Sequence, residues 1–200
     1  DGLLARGWSV RVLDDLSTGR RENLPGSGFE MMEGSVADPD ACCAAVQDVD
    51  VVFHEAAVAS VVRSVESPMA SHEANVTGTL LLLEAARASC VDRFVFAGSS
   101  SIYGDLEGLP KSEDHPTAPV SPYGVTKLAA ESYVRSFGLI HGMRTLTLRY
   151  FNVFGPRQMD DSPYSGVIAK FCRAAVQGEG VVIDGDGEQS RDFTYVSNVV

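Results

Sequence analysis

Several features that would assign the chain to a special class are missing. No apolar run approaches the roughly 18 residues that a membrane-spanning helix needs, and the first ten residues, DGLLARGWSV, lack the basic and then apolar order of a secretion signal. Lys and Arg form no cluster, and the formal net charge is −11, which argues against a nucleic-acid partner. We therefore expect a cytoplasmic protein that binds neither membranes nor nucleic acids.

Cysteine is scarce, with four residues in a chain of 200. Cys42 and Cys43 are neighbours, which do not readily form a disulfide, and the chain has no C-x-x-C motif and no Cys/His cluster. We expect free thiols in a reducing compartment and no structural metal. The composition, 44% hydrophobic and 22% charged, is that of an ordinary globular protein. Because the first residue is Asp1 and the last residues, YVSNVV, read as the start of a helix, we expect the chain to continue at both ends.

Segments with strand and helix patterns alternate along the chain. The expected strands are WSVRVLDD, FEMMEG, VDVVFHEAA, DRFVFAGSSS and MRTLTLRYFN. The expected helices are LLARG, DPDACCAAVQ, residues 68–89 and SPYGVTKLAAESYVRSFG. Nearly continuous apolar strands between helices predict an α/β fold with a parallel sheet covered on both faces. After Gly155 the pattern loosens into a loop, a helix near GVIAKFCRAAVQ and short strands around VVIDG and RDFTYV. We therefore predict a domain over 1–155 and the beginning of a second over 156–200.

Polar side chains close the expected strands, and in a parallel sheet this edge binds ligands. Asp14 ends an early strand. An acid there can accept hydrogen bonds from an adenosine ribose and would repel a 2′-phosphate, which favours NAD over NADP. The alternative is that Asp14 and Asp15 simply open a turn.

Tyr123 and Lys127 are four positions apart on an expected helix, with Ser121 as N-cap and Pro122 in its first position. Lowering a tyrosine pKa from about 10 by about 3 units requires roughly 4 kcal/mol. An ammonium group at about 4 Å supplies that much at an effective dielectric constant of about 20. The bare spacing also arises by chance, but the strand that precedes this helix ends in three serines, whose hydroxyls could assist such a base.

Seven segments together resemble the extended short-chain dehydrogenase/reductases, and among these the nucleotide-sugar 4-epimerases. They are VLDDLSTG, VVFHEAA, HEANVTGTLLLLEAAR, RFVFAGSSSIYGD, SPYGVTK, LRYFNVFGPRQ and GDGEQSRDFTYV, in the family's order. The resemblance implies a Rossmann-type doubly wound sheet followed by the start of a small C-terminal substrate lobe.

The resemblance also implies roles for individual residues. Tyr123 would be the catalytic base, Lys127 its activator and a ligand of the nicotinamide ribose, and Ser99 the assisting hydroxyl. The residues expected to contact NAD are Asp14, Asp15, Ser17, Thr18, Gly19, Ser35, Val36, Ala56, Ala57, Asn75, Tyr123, Lys127, Tyr150 and Val153. The residues expected to contact substrate are Ser99, Ser100, Asn152, Val167 and Arg191.

The implied reaction is an epimerisation at C4 of a UDP-sugar through a 4-keto intermediate, with NAD regenerated in each cycle and a homodimer as the assembly. A 4,6-dehydratase is the first alternative. Dehydratases usually follow the catalytic hydroxyl with Asp-Glu, whereas Ser100 and Ser101 stand here, so the serines favour an epimerase. The second alternative is a non-catalytic NAD-binding or nucleotide-binding protein. The sugar stays open between glucose or galactose, an N-acetylhexosamine and a hexuronate.

The chain departs from this family in three places. The glycine-rich G-x-x-G-x-x-G loop and the first strand, which should precede Asp1, are absent. We expect a sheet that lacks a central strand and weak NAD binding by these 200 residues alone. Ser35 replaces an acid that usually lies near the adenine, and Glu55 occupies a position that is usually apolar.

Overall fold

The structure, a computed structural model, describes residues 1–159, 166–183 and 185–200. Contacts divide the chain into two units, Asp1–Arg149 and Tyr150–Val200. No helix in the described residues has the length and apolar character needed to cross a membrane. The role in substrate binding that the sequence predicts for residues 156–200 remains a prediction.

Helices and strands alternate as the sequence predicts. The strands are β1 (Val10–Asp14), β2 (Phe29–Glu33), β3 (Val51–His54), β4 (Arg93–Ser99), β5 (Arg144–Tyr150), β6 (Val153–Phe154) and β7 (Thr194–Tyr195). The helices are α1 (Gly2–Ala5), α2 (Pro39–Ala45), α3 (Val61–Glu66), α4 (Pro68–His72), α5 (Gly78–Ala88), α6 (Pro122–His141) and α7 (Val167–Gln177). Two predicted caps are present: Asp38 accepts a hydrogen bond from the Asp40 amide, and Ser121 accepts one from the Gly124 amide.

The strands pair in parallel, which confirms the predicted Rossmann-like α/β class. β1 pairs with β2, with Asp14 opposite Glu33, and β3 pairs with β4, with His54 opposite Phe96. β4 lies between β3 and β5, and β6 pairs with β7. The described residues form no pairing between β1 and β3, so the sheet of the first unit is broken at the place where the sequence analysis expects a missing central strand.

The core of the first unit lies between β4 and helices α5 and α6. Its largest members are buried, and each contributes roughly 1.5–3 kcal/mol by leaving water. They include Leu82, Leu83, Phe94, Phe96, Val134 and Phe137. This packing fixes α6 against β4, so the first turn of α6 lies beside the carboxyl end of the strand.

Three predicted elements differ from the structure. The single helix expected over 68–89 contains a π-helical segment, Glu73–Thr77, between α4 and α5. Helix α3 was not predicted, although Ser60 caps it by accepting a hydrogen bond from the Arg63 amide. The strand expected around VVIDG is wrong for Val181–Ile183, which are irregular, and Asp184 of that segment lies outside the described residues.

Candidate active site

The first turn of α6 carries Tyr123. The Ser121 hydroxyl caps the helix by accepting a hydrogen bond from the Gly124 amide at 3.1 Å, and Pro122 occupies the first helical position. A Cβ atom at Gly124 would come within 2.7 Å of the Ser101 carbonyl oxygen. Glycine at this position therefore allows α6 to approach the serine turn that follows β4.

Ser99, the last residue of β4, is brought together with Tyr123 as predicted. The Ser99 hydroxyl lies close enough to the Tyr123 phenol to act on its pKa, and the Ser99 oxygen accepts the Ser101 amide at 3.2 Å. Burial raises the pKa of Tyr123, and the Ser99 hydrogen bond opposes this by lowering it. The lowered tyrosine pKa expected from the sequence is therefore not found in the structure, because burial outweighs the hydrogen bond.

Lys127 lies one turn further along α6 and is 4% exposed. Its amine donates a hydrogen bond to the Ala97 carbonyl at 2.8 Å and lies 5.0 Å from the centre of the Phe96 ring. Burial lowers the pKa of Lys127 to about 8, with Glu55 opposing the shift. The sequence does not explain why an acid occupies position 55. In the structure, Glu55 favours the charged form of the Lys127 amine. At pH 7 a group with this pKa is mostly a cation.

Arg149 on β5 ties the serine turn to α6. It makes a two-pronged ion pair with Glu131 of α6, with a shortest distance of 2.6 Å, and donates to the Tyr103 hydroxyl at 2.6 Å. It also donates to the Glu113 carbonyl at 3.2 Å, which anchors the loop between Tyr103 and α6. The Glu131 and Tyr103 contacts raise the pKa of Arg149, so it stays charged.

The residues predicted for the adenosine end lie at the carboxyl ends of β1 and β2. Asp14 accepts the Leu16 amide at 2.8 Å, and Asp15 accepts both the amide and the hydroxyl of Ser17, at 2.9 and 2.6 Å. The two acids therefore stabilise the turn that follows β1, which is the alternative role considered for them in the sequence analysis. A Cβ atom at Gly19 would lie 3.0 Å from a carboxylate oxygen of Asp14. An acid at a strand end beside a residue without a side chain fits a ribose diol, and contact with NAD stays a prediction.

Other predicted NAD ligands differ in how accessible they are. Ser35 is partly buried and accepts the Ala37 amide at 3.1 Å, whereas Val36 is 8% exposed and belongs to the core. Ala56 and Ala57 are partly buried directly after β3, and Thr18 is exposed.

Asn75 has an arrangement that the sequence does not predict. It is 1% exposed, its side-chain oxygen accepts the Val58 amide at 2.7 Å, and its side-chain amide donates to the Thr126 hydroxyl at 3.0 Å. These contacts use the side chain inside the protein, and contact between Asn75 and NAD stays a prediction.

The remaining predicted residues belong to the second unit, except Ser100, which is partly buried in the serine turn. Asn152 and Arg191 lie on neighbouring segments, because the Asn152 side chain donates to the Asp192 carbonyl at 2.9 Å. Arg191 is exposed and donates to the Ser190 carbonyl at 2.7 Å. The other three are Tyr150 at the end of β5, Val153 on β6 and Val167 at the start of α7.

Two residues around Tyr123 are missed by sequence reasoning. The Tyr123 amide donates to the Ser64 hydroxyl at 2.9 Å, and the Thr126 hydroxyl donates to the Tyr123 carbonyl at 2.8 Å. The capping pattern at Ser60 could have revealed α3, but no local signal shows that Ser64 faces a residue 59 positions away.

Comparison with known proteins identifies relatives over the whole chain. A UDP-glucose 4-epimerase of Mycolicibacterium smegmatis is 39% identical over 206 residues, covering 100% of this chain and 66% of that protein. The crystal structure of a Thermotoga maritima UDP-glucose 4-epimerase with UDP-glucose matches with a TM-score of 0.95 and 37% identity, covering 100% of this chain and 65% of that one.

The Thermus thermophilus UDP-glucose 4-epimerase in complex with NAD matches with a TM-score of 0.90 and 39% identity, over 99% of this chain and 66% of that one. The chain thus spans about two thirds of the length of these relatives. The model of the NAD dependent epimerase/dehydratase family matches residues 1–200. The chain therefore belongs to the NAD dependent epimerase/dehydratase family.

Proposed function

We propose that the protein is an NAD-dependent enzyme that inverts C4 of a UDP-sugar through a 4-keto intermediate. The observation that carries the proposal is the placement of the Tyr123 phenol beside the Ser99 hydroxyl, which acts on its pKa, with the buried Lys127 one helical turn away. The relatives named UDP-glucose 4-epimerase support the same reaction.

The chain's own residues would handle the proton at the sugar's 4-oxygen. Tyr123, as phenolate, would accept the proton of the 4-hydroxyl, and the Ser99 hydroxyl would orient that oxygen. The Lys127 ammonium would favour the phenolate and hold the nicotinamide ribose. When bound, NAD would supply the hydride acceptor for C4 and the hydride donor for the opposite face of the resulting ketone. Tyr123 would then give its proton back to the 4-oxygen, so the reaction needs no second substrate.

The adenosine ribose would be held by Asp14, Asp15 and Gly19. The cofactor channel would be lined by Ala56 and Ala57. NAD would also contact Tyr150 and Val153. Ser100, Asn152, Val167 and Arg191 would bind the UDP-sugar. We place the reaction in the cytoplasm. The sugar itself stays open between hexose, N-acetylhexosamine and hexuronate.

Two other functions are weaker. In the serine turn the Ser101 amide bonds to the Ser99 oxygen, and Ser100 and Ser101 offer no carboxyl group for the water elimination of a 4,6-dehydratase. A non-catalytic nucleotide-binding protein would have no need of Ser99, Tyr123 and Lys127 together.

The test is an assay of the protein from its complete reading frame with UDP-galactose and UDP-N-acetylgalactosamine, without added reductant. We expect at least one to be converted to its 4-epimer, and Tyr123→Phe to lower kcat by about 100-fold or more, because a phenyl ring cannot accept a proton. Tyr133→Phe, on the same helix but 40% exposed, serves as the matched control. Full turnover by Tyr123→Phe would overturn the proposal.

We also propose that the protein is a homodimer formed by the helices over 70–88 and 122–137. Apolar side chains are exposed on α6, where Val125 and Tyr133 are 52% and 40% exposed, and at Met69, directly before the first region, which is 75% exposed. Pairing of two copies would remove this surface from water.

A further inference from the structure

Both backbone polar groups of Tyr123 are held by side-chain hydroxyls. The amide donates to Ser64 of α3 at 2.9 Å, and the carbonyl accepts from Thr126 at 2.8 Å. The first amides of an α-helix have no acceptor within the helix, so the Ser64 hydroxyl supplies the acceptor for the Tyr123 amide. The backbone of the proposed base is therefore fixed from both sides.

The direction of each hydrogen bond at Ser64 is determined. Ser64 is fully buried, and its hydroxyl proton goes to the Val61 carbonyl at 2.6 Å. A hydroxyl has one proton to donate, so towards Tyr123 the oxygen can act only as an acceptor. Ser64 is thus oriented by its own helix to receive the Tyr123 amide.

Thr126 is oriented in the same way. Its proton goes to the Tyr123 carbonyl, and its oxygen accepts the side-chain amide of Asn75 at 3.0 Å. The side-chain oxygen of Asn75 in turn accepts the Val58 amide at 2.7 Å. Asn75 therefore connects the segment that follows β3 with the first turn of α6.

The network continues to a histidine. The Thr79 hydroxyl donates to the Asn75 carbonyl at 2.6 Å, and its oxygen lies 2.8 Å from Nε2 of His54. Since the Thr79 proton is already donated, Nε2 of His54 must carry a proton and act as the donor. His54, Thr79, Asn75 and Thr126 are each 4% exposed or less, so water cannot easily replace any of these bonds.

We propose that Ser64, Thr126 and Asn75 are positioning residues that hold the Tyr123 backbone so that its phenol meets Ser99. The inference rests on the proposed function, because it assigns these residues a task in placing the base. Each of them acts through Tyr123 and needs no contact with the substrate. A small displacement of a reacting group commonly costs up to about 100-fold in rate.

Thr126→Val tests the proposal with little change of shape, since it replaces a hydroxyl by a methyl group. We expect kcat to fall about 10-fold to 100-fold with little change in KM. Thr126→Ser keeps the hydroxyl and should restore most of the activity. The Ser99 hydrogen bond lowers the pKa of Tyr123, so loosening it should move the rise in activity with pH to higher pH in the valine variant.

Ser64→Ala provides a second test with a direct structural readout. The Tyr123 amide loses its acceptor, so its hydrogen exchange with solvent should become faster while kcat falls. Ser132→Ala is the matched control, because the Ser132 hydroxyl, like that of Ser64, donates to a backbone carbonyl of its own helix, that of Leu128 at 2.8 Å, but is exposed. Its activity and pH profile should match those of the unchanged protein.

The outcomes separate this inference from the proposed function. If Thr126→Val and Ser64→Ala keep the unchanged kcat and pH profile while Tyr123→Phe is inactive, the positioning role is overturned and the function stands. The positioning role is also overturned if Thr126→Val and Thr126→Ser lose activity equally, since the hydroxyl would then not matter. If Tyr123→Phe is active, the proposed function fails.

Discussion

His54 shows how a single residue's surroundings set its protonation state. Its ring is 2% exposed and lies between Phe94 and Phe96, with ring centres 5.9 and 5.7 Å away. Burial, together with a smaller contribution from the nearby Lys127, lowers the pKa of His54 from 6.5 to about 3. His54 is therefore a packed core residue that stays neutral at pH 7.

This pKa predicts a pH dependence of stability. Between pH 6.5 and about 3 the unfolded chain binds a proton at His54 that the folded chain does not. The free energy of unfolding contributed by this residue is therefore fully present above pH 6.5 and falls as the pH is lowered towards 3. His54→Gln keeps a donor for Thr79 but does not titrate. Urea unfolding from pH 7.5 to 4.5 should show a steeper loss of stability in the unchanged protein, and parallel curves would contradict the shifted pKa.

Local sequence signals predict the candidate catalytic residues, but only some of the residues that support them. Tyr123 and Lys127 are recognisable because helical spacing and the Ser-Pro start of α6 are local patterns. Ser64 and Thr126 are not, since the bonds that give them their roles depend on how α3 packs against α6. For Asp14 the sequence allows two roles, a ligand of the adenosine ribose or a residue that opens a turn. The hydrogen bond that Asp14 forms within the chain, to the Leu16 amide, is the turn contact.

At the scale of whole elements, caps decide what can be predicted. The starts of α2 and α6 follow from Asp38-Pro39 and Ser121-Pro122. The π-helical segment Glu73–Thr77 does not follow from the sequence, because the length and the Ala/Leu content of residues 68–89 favour a continuous helix. Its position coincides with Asn75, whose side chain and carbonyl are both used in the polar network behind Tyr123.

The exposed apolar residues of α4 and α6 give the element-scale prediction. If these helices pair two copies, Met69→Glu combined with Tyr133→Glu should convert a dimer into a monomer, because burying two carboxylates is costly. Sedimentation velocity at micromolar concentration measures the change. Leu109→Glu is the control, since Leu109 is 85% exposed but lies in the loop before α6. A monomer before any substitution, or a dimer that withstands the double change, would exclude this interface.

At the scale of the molecule, the sequence predicts the parallel α/β class and the family. It does so because the αβ alternation and seven ordered motifs extend over nearly all of the chain. The break between β1 and β3 was expected because the resemblance to the family implies another strand between them. The sugar cannot be read from these residues, which span 65 to 66% of the length of the relatives compared.

The central claim is that Tyr123 removes a proton from the 4-hydroxyl while the hydrogen on C4 leaves as hydride and returns. The UDP-sugar that the assay identifies as substrate, carrying deuterium at C4, tests this most directly, with the product analysed by mass spectrometry and NMR. The account predicts a 4-epimer that retains the deuterium at C4, and no product from Tyr123→Phe. Loss of the deuterium to solvent, or a labelled product formed at full rate by Tyr123→Phe, would contradict it.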